Sequence, residues 1–536
     1  MNKQLYLASI ISSALLFAGC EGDDGTDGTN GADGSNGDDG FNSLIATRAI
    51  PKGDAVCLGG GLALDSGLDS NRNDILDPDE VTATELLECE ATPMVRALHA
   101  SPDAPAVNVW VNGAVALEGV DYSQGSGFVP VMEENVIAVE AITPAGNLVV
   151  IEADVNLDYN TEASVIAVNT VADGIRALPI VNASDELITD GFFRAQVVHA
   201  SPSAPAVNVY VTAFDDELSG SSPVNGAGTP LEFEDYTGRL QVPAGSYQIR
   251  ITVDGDETLT PVFDSGEIPL PAGADLMIVA IENTGPGASP VDLVVLDGTA
   301  AAKLEDVATP ASAIAVHLSP DAPPVDILAD VNGTPEDEML ALVRNVPFGA
   351  YCDLNAIPAP GDYNISVVAS ADNSVVATQF ALMVEPSTEA TAIVSGFLTE
   401  GMDPAIVPLP QIDDRRSIIT ETKLRVTHAS PSTGLVDIYL VEAGTAIDGT
   451  FEPTFADVAF GTDTTQLSIP NDMYDAVVTA ADSLEPAIEL LGLDFTAGGS
   501  VLSVIARDLA DGGLDPMPLI IDMTAVPACG SPEPAM

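Results

Sequence analysis

The sequence predicts an all-β protein built from several tandem β-sandwiches. Short runs of apolar and β-branched residues alternate with polar ones and are separated by Pro, Gly, Asp and Asn at intervals of roughly 8–12 residues. No long segment within these runs has the apolar spacing of an amphipathic helix. A chain of 536 residues also exceeds what one hydrophobic core accommodates. We therefore expect several domains in a row.

The first 20 residues have the pattern of an export signal. Lys3 precedes an apolar stretch from Leu5 to Leu16, and Phe17-Ala18-Gly19-Cys20 follows. This ending resembles the bacterial lipobox, which implies a lipoprotein signal peptide over residues 1–20 and lipidation of Cys20. Glu21 after the cysteine implies sorting to the outer membrane, on its periplasmic or cell-surface face. A secretory peptide cut elsewhere and an N-terminal helix are the alternatives.

Residues 21–40 repeat glycine at every third position, from Gly22 to Gly40. This period is shared with collagen, but no proline pre-organises the segment and its aspartates would repel one another in a triple helix. We predict a disordered, acidic spacer, with a trimeric helix as the alternative.

The chain is strongly acidic, with 81 Asp and Glu against 16 Lys and Arg and a formal net charge of −65. Such a surface repels phosphate backbones, so we exclude nucleic acid as a partner. The charge favours a well-solvated surface in salt-rich surroundings. The alternative is that the acids collectively attract divalent cations.

Residues 41–90 form a small predicted module that contains Cys57 and Cys89. With Cys20 lipidated, four cysteines remain, an even number that suits an oxidising compartment. We predict a Cys57–Cys89 disulfide. Cys352 and Cys529 either pair with each other or remain two lone thiols.

The module carries a candidate metal site between residues 69 and 80. Oxygen-bearing side chains stand at positions 1, 3, 5, 9 and 12 of a twelve-residue segment, which resembles an EF-hand calcium loop. Asp74 stands where that loop normally has glycine. The predicted calcium ligands are Asp69, Asn71, Asn73, the carbonyl of Ile75, Asp77 through water, and a bidentate Glu80. A plain acidic turn is the alternative.

From residue 94 onward one phrase, His-Ala-Ser-Pro or a close variant, occurs four times, and it contains all four histidines of the chain. An alternating strand follows each copy, such as Val207–Val211. We predict four β-sandwiches over residues 94–182, 194–298, 313–411 and 422–524, joined like beads by polar or alanine-rich links and followed by a tail over 525–536. The histidines are His99, His199, His317 and His428.

The longer phrase, His-Ala-Ser-Pro-x-Ala-Pro-x-Val-Asn/Asp-Val-Tyr/Trp, resembles the DUF4397 family of exported bacterial proteins over residues 94–524. The third copy departs at Leu318, and the fourth has Thr433-Gly434 in place of the second Ala-Pro. The resemblance implies extracytoplasmic sandwiches of the immunoglobulin-like or transthyretin-like kind, with antiparallel sheets. It implies no activity. Residues 40–89 resemble a short module found behind Gly-x-y spacers in bacterial proteins.

Each histidine precedes a serine by two residues and an Asn or Asp by nine, which invites comparison with a catalytic triad. Two of the four copies have asparagine, which cannot stabilise an imidazolium as a carboxylate does. We therefore interpret the histidines as structural groups that tie the loop to the following strand. Metal binding and catalysis are the weaker alternatives, because one histidine per domain supplies too few nitrogens for zinc.

These features favour a non-enzymatic, lipid-anchored cell-surface scaffold or adhesin-like protein with a calcium-stabilised module. Its partners are then the membrane, through the lipid, and an extracellular protein or glycan that the sequence does not identify. The alternative function is an array of glycan-binding modules, although aromatic residues make up only 5% of the chain. A hydrolase ranks third, because no sandwich has a catalytic cluster of its own.

Overall fold

The computed structural model describes residues 40–331, 339–354, 357 and 361–529. The predicted signal peptide, Cys20 and nearly all of the predicted spacer lie outside these residues. The prediction of an all-β protein is confirmed, since every regular element of the described residues is a strand. None of these residues forms a helix that could cross a membrane. The described chain divides into two compact units, residues 40–54 with 60–89, and residues 55–59 with 90–529.

The first compact unit is a three-stranded antiparallel sheet in the order β1-β2-β3. Strand β3 approaches β2 closely at both ends of β2. A Cβ atom at Gly61 would lie 2.1 Å from the carbonyl oxygen of Glu88, and one at Gly67 would lie 1.9 Å from that of Glu80. Only glycine fits these two positions, and residues 69–80 connect the strands directly beyond Gly67. The strands are β1 (Ser43–Ile50), β2 (Gly61–Leu68) and β3 (Val81–Cys89).

The second compact unit contains four successive pairs of sheets, here called sandwiches 1 to 4. In each sandwich one sheet contains the strand that ends in the histidine, and we call it the histidine sheet.

The histidine sheet of sandwich 1 has the order β11-β10-β4-β7, and its partner sheet has the order β6-β5-β8-β9. The strands are β4 (Met94–His99), β5 (Val107–Val111), β6 (Ala114–Val120), β7 (Val129–Pro130), β8 (Glu134–Ala141), β9 (Leu148–Asn156), β10 (Thr161–Val168) and β11 (Arg176–Ala183).

Sandwich 2 pairs the histidine sheet β14-β12-β17-β18-β19 with the sheet β13-β15-β16. The strands are β12 (Phe192–His199), β13 (Val207–Ala213), β14 (Leu240–Pro243), β15 (Gly245–Val253), β16 (Pro261–Leu270), β17 (Asp275–Glu282), β18 (Val291–Leu296) and β19 (Ala301–Leu304).

Sandwich 3 pairs the histidine sheet β23-β20-β26-β27 with the sheet β22-β21-β24-β25. The strands are β20 (Ser312–His317), β21 (Val325–Val331), β22 (Leu340–Val346), β23 (Tyr351–Asp353), β24 (Gly361–Ala369), β25 (Asp372–Val384), β26 (Glu389–Ser395) and β27 (Val407–Ile412).

Sandwich 4 pairs the histidine sheet β31-β28-β34-β35 with the sheet β30-β29-β32-β33. The strands are β28 (Glu421–His428), β29 (Val436–Glu442), β30 (Phe455–Val458), β31 (Leu467–Pro470), β32 (Met473–Ala480), β33 (Pro486–Asp494), β34 (Val501–Ala506) and β35 (Leu519–Asp522).

The predicted antiparallel sandwiches are confirmed, and each histidine sheet also contains one parallel pair of strands. The histidine strand runs parallel to a later strand in every case: β4 with β10, β12 with β17, β20 with β26, and β28 with β34. A parallel pair needs a long crossover connection. In each sandwich the strands of the second sheet form most of the connection between the two parallel strands.

The core of each sandwich lies between its two sheets. In sandwich 1, Val95 and Ala163 of the histidine sheet pack with Val109, Ile137 and Val139 of the second sheet, and all five are buried. The other three sandwiches have cores of the same kind. Strand β8 of the second sheet shows the predicted period of two, since it buries every second residue from Asn135 to Ala141.

The sandwiches do not stand apart like beads, because the histidine sheets also bury their second face. Leu98 and Ile166 of sandwich 1 share an apolar cluster with Val198 and Met277 of sandwich 2. A corresponding cluster joins sandwiches 3 and 4. Strands such as β20 and β28 are buried at every residue. Most of β20 is apolar, as expected for a strand that is covered on both faces, whereas β28 also buries the charged residues Lys423 and Arg425. This pairing of domains overturns the expectation of separate modules.

The segment between sandwiches 2 and 3, predicted as a link over 299–312, contains the strand β19. It pairs antiparallel with β18 and widens the histidine sheet of sandwich 2 to five strands. Ala300 next to it forms an isolated bridge with Ser126 of sandwich 1. The segment from Ala300 to Leu304 therefore pairs with strands or residues of two sandwiches. The local sequence does not predict these long-range pairings.

Several cations are buried at or near the junctions between sandwiches. Arg96 of sandwich 1 donates to the carbonyl oxygen of Leu296 in sandwich 2 at 3.3 Å. Burial lowers its pKa to about 10. Arg239 of sandwich 2 forms an ion pair with Glu162 of sandwich 1. A buried charge is stable only when it is paired and hydrogen-bonded, so these contacts specify how the sandwiches dock.

Candidate functional sites

The four histidines have the same environment, at the end of the first strand of each sandwich. Each Nε2 lies within hydrogen-bond distance of the carbonyl oxygen six residues later, and because a carbonyl only accepts, Nε2 carries the proton. The distances are 2.9 Å from His99 to Pro105, 3.1 Å from His199 to Pro205, 3.2 Å from His317 to Pro323 and 2.9 Å from His428 to Gly434.

In three sandwiches the second ring nitrogen is also engaged. Nδ1 of His99 accepts from the backbone N–H of Ser101 at 3.3 Å, and His199 and His428 bind Ser201 and Ser430 in the same way. Nδ1 of His317 is buried without a partner among the described residues. Burial lowers the pKa of all four rings. Each ring is therefore neutral, and its Nε2 hydrogen bond holds the loop that follows the histidine.

In sandwiches 1, 3 and 4 an aromatic ring contacts the histidine, a feature that the sequence reading missed. The ring of His99 meets that of Tyr122 edge-on, with 6.2 Å between centroids, and His317 and His428 meet Phe348 and Phe460 in the same manner. The residue after the aromatic donates its N–H to the histidine carbonyl with a positive φ. These residues are Ser123, Glu234, Gly349 and Gly461. The Phe-Gly pair in the last two copies was the available signal.

The histidine, serine and Asn/Asp groups do not assemble into a triad among the described residues. Oγ of Ser101 donates to the carbonyl oxygen of Asn169 at 2.5 Å, and Nδ2 of Asn108 donates to Glu140 at 3.0 Å. In sandwich 3, Asp326 forms an ion pair with Arg344 at 3.0 Å. Each of these polar groups supports a different local contact, so the geometry does not favour nucleophilic catalysis.

The predicted calcium ligands lie on one curled loop. Both carboxylate oxygens of Asp69 accept backbone N–H groups, from Asn73 at 3.0 Å and from Asp74 at 2.9 Å. Glu80 returns from the far end and accepts from the N–H of Ser70 at 2.8 Å and that of Asp77 at 3.2 Å. Asp69 and Glu80 are buried. The two ends of the loop are therefore joined through acidic side chains.

In the middle of the loop, three more polar side chains lie close together. Nδ2 of Asn71 and Nδ2 of Asn73 donate to the same oxygen of Asp77, at 2.7 and 3.0 Å. Asp74 has a φ of +62°, the left-handed conformation for which glycine is normally used. Ile75 is exposed, and its N–H donates to Oδ1 of Asn73 at 2.8 Å.

This donor set fits a hard cation chemically, because carboxylate and amide oxygens on one loop are the ligands that calcium prefers. The described residues include no cluster of three His, Cys, Asp or Glu side chains arranged to hold a metal ion. The Nδ2 atoms of Asn71 and Asn73 face Asp77, and their Oδ1 atoms accept the N–H groups of Asn73 and Ile75, so coordination by both amide oxygens together with Asp77 would require these amide groups to rotate.

Four cysteines are disulfide-bonded. Cys57 and Cys89 are each in this state. Cys352 bonds to Cys529, which resolves the alternative that the sequence left open. The tail also forms backbone hydrogen bonds at this point, with the N–H of Asp353 donating to Pro527 at 2.9 Å and that of Cys529 donating to Asp353 at 2.9 Å. The tail after sandwich 4 is thus fastened to strand β23 of sandwich 3.

Two family models match parts of the chain. The family described as a domain of unknown function (DUF4397) matches residues 93–210 and 311–439. Each match begins at the histidine strand of an odd-numbered sandwich and ends within the second strand of the next one. A second family described as a domain of unknown function (DUF7151) matches residues 42–87. No curated protein matches the chain.

Proposed function

We propose that this protein is a non-enzymatic, lipid-anchored scaffold of the bacterial outer membrane that displays its sandwiches as an adhesin-like surface. The anchor is the lipid on Cys20, and the acidic spacer carries the rest of the chain away from the membrane. The module over residues 41–90 is stabilised by calcium bound at Asp69, Asn71, Asn73, Ile75, Asp77 and Glu80.

The observation that carries this proposal is that the repeated histidines form their hydrogen bonds within their own loops. A group that served the same reaction in every sandwich would keep one ring nitrogen available to a substrate. Here both nitrogens of His99, His199 and His428 bind their own loop. The repeated motif therefore supports repeated architecture, and the paired sandwiches support a rigid display function.

The test is a fractionation of cells that express the full chain or the variant Cys20→Ser. We expect the wild type in the outer-membrane fraction, accessible to antibody or to added protease on intact cells. The variant should leave the membrane fraction, because no other anchor is proposed. Retention of the unlipidated variant in the outer membrane, or a wild type that is inaccessible on intact cells, would contradict the proposal.

A further inference from the structure

Strand β25 forms one edge of the second sheet of sandwich 3. One side of β25 pairs with β24, and no strand of the described residues pairs with its other side. The free backbone N–H and C=O groups along such a side are a template for a further strand. Val376 and Met383 on β25 are also 47% and 71% exposed. This edge of sandwich 3 is therefore open to pairing and partly apolar.

The corresponding edge strands of the other sandwiches, β9, β16 and β33, carry features that oppose edge pairing. Proteins protect exposed edges with charged residues and with proline, which lacks a backbone N–H. Strands β16 and β33 contain proline, and all three strands contain acidic residues: Glu152 and Asp154 in β9, Asp264 and Glu267 in β16, and Glu489 and Asp494 in β33. In β25 only Asp372, at its start, is charged, and residues 373–384 contain neither charge nor proline. The edge of sandwich 3 thus lacks the protection that the other three have.

Residues 378–384 of β25 are suited to pairing with a second copy of the same segment. Their register with β24 is unbroken, and they include Thr, Phe and Val, which favour strands. In an antiparallel pair centred on Ala381, a two-fold axis places Gln379 opposite Met383 of the second copy, and no acid faces an acid. The same pairing centred on β16 would place Asp264 opposite Glu267, and like charges directly opposite one another are destabilising.

We propose that β25 is a dimerisation edge, at which two copies of this chain pair antiparallel through residues 378–384. The four-stranded sheets of the two copies then form one continuous sheet. A second copy is the partner because of charge: at a net charge of −65, two copies repel each other over most of their surfaces, and this uncharged segment permits close approach. This proposal goes beyond the scaffold function and does not depend on it.

The test is sedimentation velocity on the full chain with Cys20→Ser as background, so that no lipid causes association. In about 0.5 M salt, which screens the repulsion between acidic surfaces, we expect a monomer–dimer equilibrium with a Kd of about 100 μM or tighter. Ala381→Glu should abolish the dimer without a change in melting temperature, because Ala381 is exposed and the two new carboxylates would face each other across the axis. Ala371→Glu is the matched control, since Ala371 is exposed in the turn between β24 and β25, outside the paired segment.

A mixture of two variants tests the antiparallel register directly. Ala381→Lys alone should be monomeric like Ala381→Glu, whereas an equimolar mixture of the two should form dimers, because opposite charges then face each other. The proposal is overturned if the chain stays monomeric at about 300 μM. An oligomer that persists unchanged in Ala381→Glu would overturn it as well, since a different surface must then join the copies. A mixture of the two variants that stays monomeric would also contradict it.

Discussion

The guanidinium of Arg416, in the segment before sandwich 4, lies over the ring of Tyr122 in sandwich 1 at 5.4 Å from its centre. The same group donates to the carbonyl oxygen of Ala104 at 2.8 Å and to the carboxylate of Asp121 at 2.6 Å. The hydroxyl of Tyr122 donates to the carbonyl oxygen of Glu282 in sandwich 2 at 2.5 Å. Tyr122 of sandwich 1 therefore contacts both sandwich 2 and the segment before sandwich 4. It lies beside His99 and the loop to which that histidine is hydrogen-bonded.

We expect Arg416→Ala to loosen this junction. Loss of charge-assisted hydrogen bonds to Ala104 and Asp121 should cost about 1–3 kcal/mol. The direct readout is hydrogen exchange at the amide of Ile419, which donates to the carbonyl oxygen of Asp103 at 3.0 Å. Exchange there should become faster, and Arg416→Lys should give an intermediate rate because it retains the charge but not the planar fork. An unchanged rate in Arg416→Ala would argue against the junction.

His199→Ala should destabilise sandwich 2 in the full chain by roughly 1–3 kcal/mol, because two hydrogen bonds of a buried ring are lost. Val198 and Ala200 beside it pack on sandwich 1, so an isolated sandwich 2 would expose that face and is not a suitable test. His317→Ala is the matched comparison. Its Nδ1 has no partner among the described residues, so the loss should be smaller. Equal losses of stability in the two variants, or no loss in His199→Ala, would contradict this structural role of the histidines.

The histidines also predict how stability depends on pH. Burial lowers the pKa of each ring in the folded state, so below about pH 6.5 the unfolded chain binds more protons than the folded one. The contribution of the neutral histidines to the free energy of unfolding is therefore fully present above pH 6.5, and it is lost as the pH falls below that value. The NMR signals of the four rings should show no titration near pH 6.5. A ring that titrates there while the protein stays folded would contradict its buried, neutral state.

Calcium should raise the melting temperature of the module, because an ion that binds only the folded loop stabilises it by linkage. Glu80→Gln should remove most of this gain, since it removes a bidentate ligand at the end of the loop. Asp79→Asn is the matched control, because this neighbouring acid is exposed and is not a predicted ligand. A calorimetric titration without heat, together with an unchanged melting curve, would leave the acidic-turn interpretation.

Cys529→Ser should free the tail from sandwich 3. Cys352 and Cys529 are 177 residues apart, and opening a covalent loop of such length costs about 2–4 kcal/mol in typical cases. The amide of Asp353, which donates to the carbonyl oxygen of Pro527, should then exchange faster. The sandwich 1 amide of Ala100, bonded to the carbonyl oxygen of Ala167, serves as an internal control and should not change. Equal protection at Asp353 in both proteins would contradict this prediction.

Much of each sandwich is predictable because it depends on local patterns. Alternation in segments such as Val207–Val211 indicates a strand with one face in a core, and the repeated His-Ala-Ser-Pro phrase locates the first strand of each sandwich. The loop over residues 69–80 was also recognised locally, including the left-handed position of Asp74. In these cases the residues that determine the conformation lie within a few positions of one another.

The rest required the tertiary structure, because the partners are distant in sequence. Strand β28 has the sequence ETKLRVTH, and only contacts with Gln411 and Asp413 at the end of sandwich 3 explain how Arg425 and Thr427 are buried. Arg415 and Arg416 are adjacent in sequence, yet Arg415 donates to Ser312 of sandwich 3 and Arg416 reaches Tyr122 of sandwich 1. The sequence by itself determined the strands, the repeats and the loop motifs, whose energetics are local. The parallel pairing and the docking of sandwiches depend on long-range burial of apolar surface and of paired charge, which only the folded chain decides.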